Sequence, residues 1–362
     1  MSKHYKPAFK LAAIAAVLYS GATLAQSGVT LYGQADMFIG GIKSPGTGER
    51  AFVANSGGMQ TSYWGIKGSE DLGAGTRAIF DLNAFYRTDN GRVGRFDGDS
   101  MFSRNAFVGL ENNTYGTLKL GRNTTPYFVS TILFNPLIDS YVFSPMVFHT
   151  YFTASAPGVY DPGIIGDSGW NNSVLYSTPT WGGLTANFIY GLGENAGNYS
   201  QNKWGGNVTY FSGDFAATLA FQQVKFDNTP FDIATGNNSL LTGVSKQSAV
   251  QAGLSYDFKI VKLFAQGQYI KTSVSGAVPS GDIKKTTGQV GASVPVGAGA
   301  VLATYAYGKT DNAISDFKRN TFALAYDYNL SKRTDVYAAY FYDKIVGVEH
   351  GDSFGVGIRH KF

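Results

Sequence analysis

The 362-residue sequence contains no cysteine. This excludes a disulfide scaffold, a thiolate metal site and a cysteine nucleophile. Histidine is nearly as scarce: His4, His149, His350 and His360 are the whole set, and no two stand at metal-ligand spacing. No Gly-x-Ser-x-Gly elbow and no phosphate-cradling glycine motif accompanies them. The acidic stretches Asp89-Asn90-Gly91 and Asp97-Gly98-Asp99-Ser100 lack the closing glutamate of a calcium loop and read as turns. The chain is therefore expected to be no enzyme and to need no metal or cofactor. Long apolar runs are missing too. Residues 11–19 fall short of the roughly 20 that a spanning helix needs, and nothing downstream is longer.

What is present begins with an export leader. Lys3, Lys6 and Lys10 precede the apolar run, and Thr23-Leu24-Ala25 places small residues before a cleavage point. Residues 1–25 are accordingly expected to be a signal peptide. Without its three lysines the formal charge of +4 falls to +1, which gives no basic footprint for nucleic acid.

The remainder is patterned at a period of two. Over 352–362, Phe354, Val356, Ile358 and Phe362 share one face, and Ser353, Gly355, Gly357, Arg359 and Lys361 share the other. Sixteen segments of this kind can be traced, from 29–43 and 61–72 to 334–344 and 352–362. Their connections alternate, seven short and eight long, as antiparallel strands closing on themselves require. In a chain carrying an export leader, the apolar face of such strands looks at lipid. The pattern predicts residues 26–362 to be a single all-β domain, a 16-stranded antiparallel transmembrane barrel.

One connection departs from the rest. From about 123 to 170 no convincing strand pair is visible, yet the stretch carries Tyr127, Phe128, Phe134, Leu137, Phe143 and Met146. It is too apolar to be disordered, and in water it would expose a large patch. It is predicted to fold into the lumen, where a barrel of this size leaves room.

Several motifs carry a resemblance. They are Val29-Thr30-Leu31-Tyr32-Gly33, residues 65–72 (GIKGSEDL), residues 104–110 (RNAFVGL), residues 116–122 (GTLKLGR), Asn171-Asn172-Ser173-Val174 and residues 355–362 (GVGIRHKF). In order and spacing the chain resembles the general trimeric porins of Gram-negative bacteria, most closely the neisserial and beta-proteobacterial type. The resemblance implies a homotrimer in the outer membrane, passive diffusion of small hydrophilic solutes, and a third loop acting as constriction. It also implies contact with outer-membrane lipid and lipopolysaccharide, and a terminal Phe362 read by the outer-membrane assembly machinery. A barrel selective for aromatic or carboxylate solutes is the alternative suggested by Tyr63, Trp170 and the Phe-rich loop, and a secreted adhesin or barrel enzyme is a third.

In that family a fan of basic residues on the wall faces acids on the third loop. Here Arg104 occupies the fourth-strand arginine position, with Phe107 expected to face outward. Tyr63 stands at the second-strand arginine position, Gln34 at the first-strand position, and Gly169 and Trp170 replace a further arginine. Arg77 and Arg87 share a face with Asp81 and Asn83 and are expected to line the lumen. Asp139 is the loop's candidate acid. The resemblance implies a less basic, more aromatic eyelet than in strongly anion-selective relatives. Arg122 is expected to face outward, either latched by Asp97 or Asp99 from a neighbour's second loop or snorkelling to headgroups.

Overall fold

The structure is a computed structural model, and it describes residues 28–156, 159–194, 196, 201–226, 243–274, 281–311 and 316–362. The expected signal peptide at 1–25 lies outside the described residues. In chain order the elements are β1 (Gly28–Ile42), β2 (Ala51–Ser56), β3 (Tyr63–Gly73), β4 (Thr76–Phe85), β5 (Asn105–Asn112) and β6 (Gly116–Thr124). Two helices follow, α1 (Pro126–Leu133) and α2 (Pro145–Tyr151), then the short pair β7 (Ala154–Ala156) and β8 (Val159–Asp161). The wall resumes with β9 (Gly169–Ser177), β10 (Leu184–Gly191), β11 (Lys203–Ser212), β12 (Phe215–Lys225) and β13 (Val244–Asp257). It is completed by β14 (Lys262–Val274), β15 (Ile283–Val296), β16 (Gly299–Asp311), β17 (Phe317–Asn329), β18 (Thr334–Ile345) and β19 (Gly351–Lys361).

From β3 to β6 and from β9 to β19 each strand pairs with the next, β6 pairs with β9, and β1 pairs with β19 from Gln34↔Lys361 to Gly41↔Phe354, so the sheet closes. One further rung joins Gly33 to Phe362 in both directions, at 3.1 and 3.0 Å. Gly33 is glycine for a reason: a Cβ there would lie 2.7 Å from the Phe362 ring.

The barrel has 16 staves although its sheet holds 17 strands, because β2 and β3 both pair with β1 and form one interrupted stave. The sequence pattern starts this stave only at 61 and misses 51–56. The interruption is built around a carboxylate. Asp36 on β1 is fully buried and accepts from the backbone N–H of Gly58 (3.0 Å), Met59 (3.0 Å) and Gln60 (2.8 Å). The Tyr337 hydroxyl donates to it from β18 at 2.6 Å. Three backbone donors that a continuous strand would place in the ladder are satisfied by one side chain instead.

Polarity runs opposite to that of a water-soluble fold. Val250, Leu254, Val290 and Phe354 are exposed, while their neighbours Gln251, Ser255, Gln289 and Ser353 are buried. Such a wall is stable where its outside meets hydrocarbon and every backbone group is paired around the ring.

Candidate functional site

The segment between β6 and β9 runs across the polar inner face of the wall. It is not structureless. Thr125 and Ser144 cap α1 and α2 by accepting from Phe128 N (3.2 Å) and Val147 N (3.4 Å), and a proline follows each cap. A cap residue followed by proline at the first helical position is a start signal legible in sequence. The helices are only 8 and 7 residues long, too short for their period to stand out.

Glutamine and asparagine side chains of the wall hold this segment. Asn207 donates to Pro126 O (3.0 Å), Gln251 to Tyr127 O (3.2 Å), Gln266 to Phe134 O (3.0 Å) and Gln247 to Gly163 O (2.8 Å). Glycines make space for it: a Cβ at Gly253 would lie 2.8 Å from the Phe134 ring, and one at Gly291 2.8 Å from Pro136. On the opposite side the segment's tip meets the interrupted stave. Ser140 donates to Gly58 O at 2.6 Å, and Gln60 donates to Asp139 at 2.7 Å. Burial pushes the Asp139 carboxyl up from its ordinary range, against the Gln60 bond and the attraction of Arg104 and Arg359.

A second anchor is ionic. Lys285 pairs with Asp161 at 2.5 Å and donates to His149 O, and Arg319 pairs with Asp343 at 2.6 Å while lying over the Phe148 ring. Thr321 gives its one hydroxyl hydrogen to Asp343 (2.9 Å), so it accepts from His149 Nε2–H at 2.6 Å. That leaves Nδ1 bare and buried against Gly308. Burial, then Arg319 and Lys285, hold the His149 pKa well below its usual 6.5. A released imidazole takes a proton near 6.5 and the docked one does not, so docking is full above that value and weakens as pH falls below it. Each pH unit within that window costs about 1.4 kcal/mol. The expected result is a melting temperature that drops below pH ~6.5, and His149→Gln abolishes that part of the drop. An unchanged profile in the variant places the titration elsewhere.

Each expected site residue can now be placed. The Arg104 guanidinium lies 4.1 Å from the centre of the Tyr63 ring, so these two are brought together. Phe107 faces inward, not outward: Lys119 Nζ lies 4.6 Å over its ring, and Val108 and Leu110 are the exposed residues of β5. The expectation fails because β5 begins at Asn105, so alternation does not govern Arg104. Gln34 is buried and donates to Thr61 O at 3.1 Å. Arg77 pairs with Glu111 at 2.9 Å near the short-turn end, and Arg87 pairs with Asp97 at 2.5 Å. Trp170 is wholly buried, and its indole N–H has no partner among the described residues.

Arg122 finds its carboxylate within the chain, and it is neither Asp97 nor Asp99. It binds Asp167 at 2.7 Å, Asn171 at 2.7 Å and Ser103 O at 2.7 Å. Arg95 reaches the same Asp167 at 2.6 Å and takes Asp99 at 2.9 Å, while Asp97 takes Arg87 and Arg92. Burial opposes ionisation of Asp167, but Arg95 and Arg122 outweigh it and hold the carboxyl well below its usual range. The same clamp fixes Asp167 in the left-handed backbone region, at φ +72°.

Two wall cations escaped sequence reasoning. Lys67 lies 4.7 Å over the Tyr32 ring, and Lys119 lies over Phe107. Tyr32 donates to Asp81 (2.7 Å) between them. A recess of about 260 Å³ separates this wall from α1, lined by Asp81, Phe107, Lys119, Asn123, Asn187 and Asn207. The alternation Leu118-Lys119-Leu120 was the available signal.

Comparison with known proteins agrees with this architecture. The model of the Gram-negative porin family matches residues 11–346. Outer membrane porin protein 32 of Delftia acidovorans is 31% identical over 97% of this chain and 99% of its own. An outer membrane porin of Bordetella pertussis is 29% identical with the same coverage, 97% and 99%. Among solved structures, the anion-selective porin from Comamonas acidovorans superposes with a TM-score of 0.75 at 29% identity, covering 93% of this chain and all of that one. The closed wall, its inverted polarity and these matches together place the chain in the Gram-negative porin family, as a channel protein of the outer membrane and not an enzyme.

Proposed function

We propose that the chain assembles as a homotrimer and conducts small hydrophilic solutes and ions by passive diffusion. In this reading the segment between β6 and β9 narrows each bore, and anions are mildly favoured over cations. The observation that carries the sign is the wall of β3 to β6. Arg104, Lys67 and Lys119 each lie over an aromatic ring, and none has an ion pair among the described residues. By contrast, the inner cations Lys285, Arg319 and Arg359 are compensated by Asp161, by Asp343, and by Asp335 with Asp327. Uncompensated charge in a narrow bore attracts counter-ions, and compensated charge does so weakly. The anion-selective porin among the similar structures supports the same sign.

Arg104→Ala tests this in planar bilayers. Removing a charge worth up to about 1 kcal/mol of screened attraction should lower the anion-to-cation permeability ratio by roughly two- to fivefold, with folding unchanged. An unaltered reversal potential in a salt gradient overturns the role of Arg104. The stacked cations also favour a second reading, a site for aromatic carboxylates. Benzoate would then block chloride current saturably at low concentration, whereas a general pore shows only proportional competition.

A further inference from the structure

The recess between α1 and the inner wall has a make-up that bulk diffusion does not need. Two ionisable side chains of opposite sign open onto it, Asp81 from β4 and Lys119 from β6. Between them on β5 stands Phe107, the direct cross-strand partner of Asp81, with Lys119 over its ring. The two charges thus flank one aromatic residue, and they form no ion pair with each other. Each also keeps bonding capacity. Lys119 donates no hydrogen bond among the described residues, and Asp81 uses only Oδ1, which accepts from the Tyr32 hydroxyl.

A third group lining the recess is incomplete as it stands. Asn123 is 1% exposed and donates through Nδ2 to Ser173 Oγ at 3.1 Å. Its carbonyl oxygen Oδ1 is buried and has no partner among the described residues. Buried acceptors in folded proteins are almost always paired, so this one calls for a donor that enters from the recess. The recess therefore offers one cationic donor and two acceptors, one of them anionic, all with capacity to spare.

Those groups select by charge pattern. A simple anion meets Lys119 but is repelled by Asp81, and a simple cation meets the reverse. A solute with an ammonium and a carboxylate a few bonds apart answers both. The rest of the lining sets its remaining features. Pro126 and Val129 of α1 and Leu175 of β9 give an apolar side, and the volume of about 260 Å³ admits only a small molecule. An aliphatic side chain of a few carbons fits that side.

We propose that this recess is a binding subsite for a zwitterionic α-amino acid with a short aliphatic side chain. The carboxylate of the ligand lies on Lys119 Nζ, its ammonium on Asp81 Oδ2 and Asn123 Oδ1, and its side chain against Val129 and Leu175. The inference rests on the conduction reading in one respect, that the solute arrives through the bore. Binding strong enough to capture and weak enough to release holds the solute beside its path and gives its flux a saturable component.

The test uses the full-length folded barrel in detergent and reads binding by saturation-transfer NMR, with L-valine as the probe. Isovalerate, which lacks the ammonium, and isobutylamine, which lacks the carboxylate, are the controls. Expected is saturable binding of valine, with each control at least about tenfold weaker. Lys119→Met removes the charge, keeps an unbranched stem and should weaken valine binding by about tenfold. Val129→Phe fills the recess from α1 without touching either charge, and should abolish saturation. It keeps the test open if the wall variant folds poorly. Isovalerate binding as tightly as valine overturns the zwitterion assignment and reduces the recess to an anion site. Absence of saturable valine binding, or equal binding by the parent and either folded variant, overturns the proposal. Binding is read here without a membrane or a current, whereas the conduction reading stands or falls on reversal potentials, so the two failures are distinguishable.

Discussion

Asp36→Ala should destabilise the barrel more than any other single polar substitution in its wall. The fully buried side chain takes three backbone N–H groups and the Tyr337 hydroxyl, and only the bond from Gln60 is part-buried. Alanine leaves those four donors without an acceptor and without water. Each unsatisfied buried group costs about 1–3 kcal/mol, so the sum is several kcal/mol even after partial relaxation. Asp36→Asn keeps the shape and one carbonyl oxygen, and should lose roughly half as much. The readout is the temperature at which the heat-modifiable folded band disappears on a gel, cross-checked by circular dichroism. A melting temperature within a degree or two of the parent for Asp36→Ala would show that water fills the vacated space and that the carboxylate is dispensable.

Removal of Phe362 should have the second largest effect, on assembly. The residue supplies the rung that continues β19 against Gly33, and its ring covers the space that Gly33 leaves open. Deleting it removes two backbone hydrogen bonds and a partly buried aromatic at the seam where the sheet must close. The stability cost is about 1–3 kcal/mol, and closure is the step at which the last free edges disappear. We expect roughly tenfold less folded barrel in outer membranes, the population ratio that corresponds to ~1.4 kcal/mol. Phe362→Ala keeps both backbone bonds and isolates the contribution of the ring. Recovery of folded protein at parental yield from the deletion would remove the role assigned to the terminal residue in assembly.

Most of the wall was legible because period-two alternation is a local signal. In β13, Val250, Ala252 and Leu254 oppose Gln251, Gly253 and Ser255, and the structure keeps that division. The second stave was not fully legible because its continuity is tertiary. Nothing in the residues from 57 to 62 announces that a carboxylate twenty residues earlier will replace their ladder. Inner-face sites were legible only in part for a related reason. Alternation says which face a side chain takes, and it misleads when its phase is set from a residue beyond the strand end, as Arg104 did for Phe107. It is also blind to partners far along the chain, such as Asp161 for Lys285 or Asp167 for Arg122. The helices within the third long connection were marked by Thr125-Pro126 and Ser144-Pro145, and their brevity hid the period that would have supported those marks.

The shell around Asp36 also dictates an order of events. Its donors come from the interrupted stave next to β1 and from Tyr337 on β18, which reaches β1 only across β19. The shell is therefore complete only once the first and last strands have met. Gly58 and Gln60, which receive the tip of the connection between β6 and β9, belong to that shell. The wall that holds the other end of the connection, β11 to β17, forms from consecutive hairpins and needs no closure. Helices α1 and α2 can thus settle early, while Ser140 and Asp139 acquire their partners only after the ring is sealed. A chain that fails to close is left with the tip of that connection unseated.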